Sequence, residues 1–364
     1  MILKEVLFKK LIGGSFYFLK KKGFSRKISR IYRGLKDRIS YPSPDLIQKH
    51  KLLWAPFKGS VNIKWLAIYA GLSGIESHKY VPEDIYYTEI EPRLNNKGLS
   101  KTYTDKNLYD KILPENYLPL TLVRGINGFL FNKNYEGITR EEAIHILNDS
   151  RQFIIKPSIE SGGGRKVKLL RSINGEFFED EEKEGISIDD LIKMYMPDFI
   201  CQELIINHSF YSRFNKSSLN TVRFLVYTSV TDGNPNILNC VLRVGKPGFI
   251  VDNQASGGFA CGITHDGLFN GKVVNKHGDT FVSVNDVIVE KGTELYKYQN
   301  LKEMTLIISP KIWYSHLIGL DLCVDKDGNT KIIEVNCYNN EINFFQMTNG
   351  PLFGNFTEDP YEAQ

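Results

Sequence analysis

The apolar pattern changes character three times along the chain. Over the first forty residues it is helical. Ile2, Leu3, Val6, Leu7 and Leu11 share one face, Gly13-Gly14 breaks the run, and residues 25–39 resume it with Ile28, Ile31, Tyr32, Leu35 and Ile39 on one side. Residues 41–100 are mixed. Tyr41-Pro-Ser-Pro44 marks a boundary, the surroundings of Trp54 and Trp65 read as aromatic helix, and Pro82 and Pro92 punctuate an extended segment up to Leu94. Thr104 or Asp105 caps a helix that opens at Lys106. Thr139-Arg-Glu-Glu142 caps another, which runs on through Leu147. Beyond it the apolar blocks become short and β-branched. Residues 153–157, 166–170, 199–206, 221–229, 237–244 and 260–263 predict strands, with helices at 188–194 and within 301–318.

The final strand pair is the most informative. Two apolar runs flank Asp327-Gly328, a strong hairpin signal. A two-residue loop there pairs Lys326 with Asn329 and sets Asp321 opposite Glu334, with Asn336 on the same strand face as Glu334. Carboxylates facing each other across strands repel, and a divalent cation between them reverses the sign. Two acids and an amide are hard oxygen ligands that suit Mg²⁺ while it also holds nucleotide phosphates. The plainer alternative is an exposed hairpin whose acids face water.

Composition narrows the classes. A chain of 364 residues has room for two domains, and 42% hydrophobic with 24% charged residues is ordinary for a globular protein. Cys201, Cys240, Cys261, Cys323 and Cys337 are scattered, odd in number and form no Cys-x-x-Cys pair. That argues against a disulfide framework or structural zinc and for cysteines packed as small hydrophobes in a reducing compartment. The net charge of +4 is uneven: residues 1–45 hold twelve Lys/Arg and three Asp/Glu, or +9, which leaves −5 for the rest. The basic amphipathic start can lie on an anionic membrane face or dock on the protein's own body. No nucleic-acid reader motif accompanies the charge, so a nucleic-acid partner is not expected. No apolar run is long enough to span a bilayer, and Lys4, Glu5, Lys9 and Lys10 interrupt any secretory signal. The expected location is cytoplasmic, peripheral on the inner membrane face if the basic start binds lipid.

Several segments carry candidate chemistry. Gly162, Gly163 and Gly164 lie between two strands, where consecutive glycines let backbone N–H groups approach phosphate oxygens; a surface loop is the alternative. No Gly-Lys-[Ser/Thr] opens a helix there, so this is not a Walker loop. Lys156 ends the strand entering that loop, within reach of a phosphate or of solvent. Gln202, Glu203, Leu204 and Ile205 form an apolar strand that can line an adenine or simply pack in a core. Arg223 and Arg243 fall on neighbouring strands, which implies an anion between them or separate carboxylate partners. Asp252-Asn253 opens a second glycine-bearing loop, able to offer donors to an oxyanion or to be a plain turn.

The order of these parts resembles the ATP-grasp superfamily. Lys106, Lys156-Pro before a Gly-rich hairpin, Gln202-Glu203, Asn220-Thr-Val-Arg223, Asp252-Asn253 with Gly257-Gly258, Gly319-Leu-Asp321 and Glu334-Val-Asn336 follow its sequence of motifs. The chain is especially similar to the sugar-transfer-associated branch found in bacterial polysaccharide gene clusters, over roughly residues 45–355. Arg165 and Lys166 depart from the small residues common after the glycines, and Asn207 and His208 stand where a ribose-binding acid is usual.

The resemblance implies an α+β ATP-grasp fold, two subdomains clasping ATP, with an N-terminal helical extension. The implied division is a basic extension at 1–40, a pre-grasp region at 41–105, a subdomain with the Gly-rich flap at 106–207 and one with the Mg²⁺ site at 208–364. Lys106 and Lys156 would hold ATP phosphates, Gly162, Gly163 and Gly164 would close over them, and Gln202, Glu203, Leu204 and Ile205 would contact adenine. Asp321, Glu334 and Asn336 would bind Mg²⁺. Arg223 and Arg243 would face the transferred phosphoryl group and its carboxylate acceptor, with Asn253 beside them. The implied activity is an ATP-dependent carboxylate–amine ligase that forms an amide through an acyl phosphate, on a hexuronic acid or other saccharide carboxylate of capsule or O-antigen polysaccharide. A lipid-linked glycan reached through residues 1–39 is a further implied partner. The rivals are a peptide or polyamine acceptor, and a non-catalytic nucleotide-binding partner of a glycosyltransferase.

Overall fold

The computed structural model describes residues 2–57, 60–159, 164, 166–179, 184–252 and 257–362, and for 2–18 the backbone alone. A single helix spans Ile2–Leu35, where two were expected. Gly13-Gly14 lies inside it. Each glycine costs a helix only about 1 kcal/mol relative to alanine, which long flanking runs overcome. The later part of this helix docks on the body. Ile28 and Leu35 are fully buried, the Phe24 ring stacks on Tyr87 at 5.1 Å, and Lys27 Nζ lies 2.6 Å from Glu83. Of the two readings of the basic start, residues 24–35 follow the second. Among the described residues no helix is long and apolar enough to cross a membrane.

Helices Pro44–Trp54 and Lys64–Ser73 follow, with Trp54 and Trp65 buried as their aromatic pattern implied. The segment expected to be extended is helical instead. Glu83–Ile85, a wide π turn at Tyr86–Ile90 and Glu91–Leu94 run on without a break. Neither proline stops it. Pro82 sits at the N-cap, and Pro92 falls just after the π turn, where the hydrogen-bond ladder is already opened.

Two larger sheets carry the rest. Strands β1 (Thr121–Ile126), β2 (Phe129–Phe131), β3 (Gln152–Pro157), β4 (Lys168–Ile173), β5 (Glu176–Phe178) and β6 (Phe199–Glu203) form an antiparallel sheet in the order β2-β1-β6-β3-β4-β5. Helices Arg140–Ser150 and Ile188–Tyr195 cover it through Ala143, Leu147, Leu191 and Ile192. The first has the capping box read from Thr139 and Glu142. Strands β7 (Thr221–Thr228), β8 (Pro235–Val244), β9 (Phe259–Ile263), β10 (Phe269–Val274) and β11 (Thr280–Phe281) build the second sheet. A two-stranded ribbon of β12 (Ser283–Val284) and β13 (Val287–Ile288) stands apart, and β14 (Leu317–Val324) and β15 (Thr330–Asn336) complete the second sheet in the order β11-β10-β9-β8-β7-β14-β15.

The second sheet is buried on both faces. One face packs on helix Tyr298–Ile308 through Leu301, Met304 and Ile308, and the other on the aromatic N-terminal helices and helix Asn343–Asn349. Gln346 locks that second layer, accepting from the Val81 N–H at 2.7 Å and donating to the Val81 carbonyl at 3.0 Å. All five cysteines are buried, and none is in a disulfide among the described residues.

Candidate active site

The β14–β15 hairpin sets Asp321 opposite Glu334, as expected, but by a different route. The turn holds three residues, not two: the Asp325 N–H donates to the Asn329 carbonyl, and Gly328 takes a left-handed φ of 84°. The register shifts by one between Asp321 and Leu322, a β-bulge that offsets the longer turn. The bulge also breaks the in–out alternation, so that consecutive side chains Ile333 and Glu334 both line the cleft.

The register continues inward. Asp321 faces Arg223 of β7, and Arg243 of β8 stands beside Thr221. Asp321 is the anion between the two arginines. It accepts from Arg223 Nε at 2.5 Å and from a second Arg223 nitrogen, and from Arg243 Nη1 at 3.0 Å. Arg243 also reaches Asp252 at 3.4 Å, and Asp252 takes the backbone N–H and the hydroxyl of Thr221. Burial opposes charge on Asp321, but Arg223 and Arg243 outweigh it and hold the carboxyl down at about 2.

The first sheet faces this set across a cleft of about 510 Å³. Lys106 follows Asp105, which caps the short turn Lys106–Leu108, and its N–H donates to the Ser158 carbonyl just beyond β3. Its ammonium bridges the sheets to Glu334 at 2.7 Å. Lys156 leaves β3 beside it. Burial, then the Lys106 charge, pull the Lys156 ammonium down to about 7. Glu334 stays below the usual carboxylate range: burial works against its charge, and Lys106 prevails.

Lys106, Lys156, Gly164, Gln202, Glu203, Leu204, Ile205, Arg223, Arg243, Asp321, Glu334 and Asn336 all line this one cleft. Gly162, Gly163 and Asn253 lie outside the described residues. Ile154, Val167, Leu169 and Ile333 form an apolar wall near Gln202–Ile205 that pattern reading passed over. Asn339 and Glu341 were missed as well, since nothing in their local sequence marks them. Asn207 bonds the N–H and carbonyl of Asn220, the residue just before β7, and the His208 ring stacks on Tyr296 at 4.1 Å.

Asp321, Glu334 and Asn336 offer hard oxygen donors on one sheet face. Among the described residues no cluster of three or more His, Cys, Asp and Glu is placed to hold a metal. Two carboxylates and an amide are a donor set of the kind that fits a Mg²⁺ ion, which takes one or two carboxylates and completes its shell with phosphate and water oxygens. Lys106 stands on Glu334, and the two arginines on Asp321.

Two antiparallel sheets face each other across a cleft, one side bringing Lys106, Lys156 and most of the apolar wall and the other a carboxylate–amide set, which is the arrangement of an ATP-grasp protein. The family model for sugar-transfer associated ATP-grasp matches residues 86–358, and the chain belongs to that family. No curated protein matches the chain. Among solved structures it is similar to the ATP-grasp ligase PsnB complexed with a minimal precursor, at 13% identity and a TM-score of 0.41, covering 74% of this chain and 63% of that one. It is also similar to the ADP complex of purK, an N5-carboxyaminoimidazole ribonucleotide synthetase, at 14% identity and a TM-score of 0.38, covering 75% and 52%. An L-amino acid ligase from Bacillus licheniformis matches at 14% identity and a TM-score of 0.31, covering 65% and 41%. The chain thus spans less than two thirds of the length of these structures.

Proposed function

We propose that the protein is an ATP- and Mg²⁺-dependent carboxylate–amine ligase acting on a saccharide carboxylate. The observation that carries this reading is the gathering of four basic side chains, Lys106, Lys156, Arg223 and Arg243, around Asp321, Glu334 and Asn336 in one cleft with an apolar wall. Phosphoryl transfer asks for positioning and charge neutralisation more than for a covalent residue. Lys106 and Lys156 take the phosphates of ATP, and the Gln202–Ile205 edge with Ile154, Leu169 and Ile333 takes the adenine. Bound Mg²⁺ neutralises phosphate charge. Asp321, Glu334 and Asn336 would hold that ion, and Arg223 and Arg243 would then be free to face the acceptor carboxylate.

The substrate carboxylate oxygen attacks the γ-phosphorus, ADP leaves, and an acyl phosphate forms. An amine then attacks the acyl carbon, phosphate leaves, and the amine gives up a proton. Arg223 and Arg243 hold the carboxylate and the developing charge. The divisions at residues 106 and 208 belong to this reading. So does the hexuronic acid, which draws on the sugar-transfer association of the family.

The test is a screen of uronate sugars against amino acids and amino sugars, with ADP and phosphate measured. The reading expects ADP and phosphate in equal amounts only when both substrates are present. Stoichiometric AMP and pyrophosphate would exclude the acyl-phosphate route.

A further inference from the structure

Five carboxylates line the cleft, and four of them have partners. Glu203 accepts from the Leu120 N–H, Asp252 from Thr221 and Arg243, Asp321 from both arginines, and Glu334 from Lys106. The fifth, Glu341, makes no hydrogen bond or ion pair among the described residues, although its residue is only half exposed. Asn339, two positions earlier, also lines the cleft and has no side-chain partner among the described residues.

The loop that carries them is rigid. Asn340, between the two, is buried on the opposite side. Its N–H donates to Glu91 at 3.0 Å, its carbonyl accepts from the Tyr87 hydroxyl at 3.0 Å, and its amide nitrogen donates to the Asn336 carbonyl at 3.3 Å. Ile342 is fully buried just after. The protein thus fixes a backbone that presents Asn339, which is exposed, and Glu341, which is half-buried, to the cleft with no protein partner for either side chain among the described residues, so both are open to a ligand group there. Glu341 also faces the reacting centre. Burial works against the Arg223 charge, Asp321 favours it most, and Glu341 adds to that support.

We infer that Glu341, assisted by Asn339, is the binding site for the acceptor's primary ammonium group, which makes the second substrate a cationic amine. This rests on the ligase reading above. A carboxylate beside a nest of cations has no use for a second anion, whereas an ammonium gains a charge-assisted bond. The site lies on the Arg223 side of the cleft, where the amine meets the acyl phosphate; the bound ammonium first gives one proton to Glu341, which frees the attacking lone pair, and the second proton leaves after the amide bond forms and phosphate departs. A neutral amine would gain no such bond, nor would an amide nitrogen.

The test is binding, measured by calorimetry on the full chain with AMPPNP·Mg²⁺ present. A panel of amino acids, amino sugars and polyamines is compared with the N-acetylated form of each. The inference expects at least one primary amine to bind while its acetylated form does not. Glu341→Gln should weaken that binding by about tenfold or more, because a charge-assisted bond becomes a neutral one, and leave AMPPNP·Mg²⁺ affinity unchanged. Asn339→Ala should weaken it less. Three results overturn the inference: no amine of the panel binds, Glu341→Gln binds it as tightly as the parent protein, or the substitution weakens AMPPNP·Mg²⁺ equally. Failure of AMPPNP·Mg²⁺ itself to bind the parent protein is a different result; it overturns the nucleotide reading and this inference with it.

Discussion

Lys156 gives the account a quantity to measure. Its ammonium is buried and lies beside the Lys106 charge, so it loses its proton at about 7 instead of the usual 10.5. That drop corresponds to roughly 5 kcal/mol of preference for the neutral form. Phosphates beside it would reverse the balance and restore the charge. Nucleotide binding should therefore take up a proton from solution. Near pH 8 the free protein carries about a tenth of a proton on Lys156, so binding should take up about 0.9; near pH 6 the uptake should fall to about 0.1. Calorimetry of AMPPNP·Mg²⁺ in buffers of different ionisation enthalpy reads this number as the slope of observed heat against buffer heat. Lys156→Met removes the group and should remove the slope, which subtracts any protonation of the nucleotide itself. Equal slopes in the two proteins near pH 8 would refute the argument. The same residue acts on stability. Its folded value is lowered, so its burden is full below about pH 7 and fades as pH rises toward 10.5. Lys156→Met should accordingly be more stable than the parent at pH 6, and the gain should shrink at pH 9.

Three further outcomes follow from the same geometry. Glu334→Gln should cut ADP release on the order of 100-fold or more while circular dichroism stays native, since it removes metal-ligand charge from an open cleft; near-normal turnover would remove Glu334 from the metal site. Asp321→Asn should destabilise the fold at neutral pH by roughly 2 kcal/mol from the lost charge alone. Asp321 is depressed from 3.8 to about 2, so the difference should persist above pH 4 and vanish as pH falls through 2 in urea melts. Lys27→Met leaves the buried Glu83 carboxylate with the Tyr69 hydroxyl as its remaining hydrogen-bond donor among the described residues and should cost about 1–2 kcal/mol. Deleting residues 1–39 should cost more, because it uncovers the surface that Ile28 and Leu35 bury. An unchanged melting temperature after that deletion would show the helix to be an appendage.

The sequence is most legible where contacts are local. The Asp321–Glu334 pairing could be read because a hairpin turn sets register within a few residues, although turn and bulge each departed by one and compensated. The capping box at Thr139 was legible for the same reason. β1 was not. Gly125 interrupts its apolar pattern, and only the fold explains that glycine: a Cβ there would overlap the Phe199 ring on β6. β10 was hidden by its own irregularity, a polar interior with Gly271 at a φ of 79° and a shift in register. The helix at 83–94 was hidden by prolines that look like breakers and stand where no N–H is needed. In the cleft, the charged and amide groups stood out from apolar strands, so they could be singled out. Asn339 and Glu341 could not, because Tyr87 and Glu91, some 250 residues earlier, hold their loop in place.

The central claim is that two sheets share one phosphoryl-transfer cleft, and a crystal structure with AMPPNP and Mg²⁺ tests it most directly. The account predicts phosphates against Lys106 and Lys156, the metal on Asp321, Glu334 and Asn336, and the Lys106–Glu334 and Arg223–Asp321 pairs opened. Nucleotide bound elsewhere, or bound here with both ion pairs intact and the metal away from Asp321 and Glu334, would contradict it.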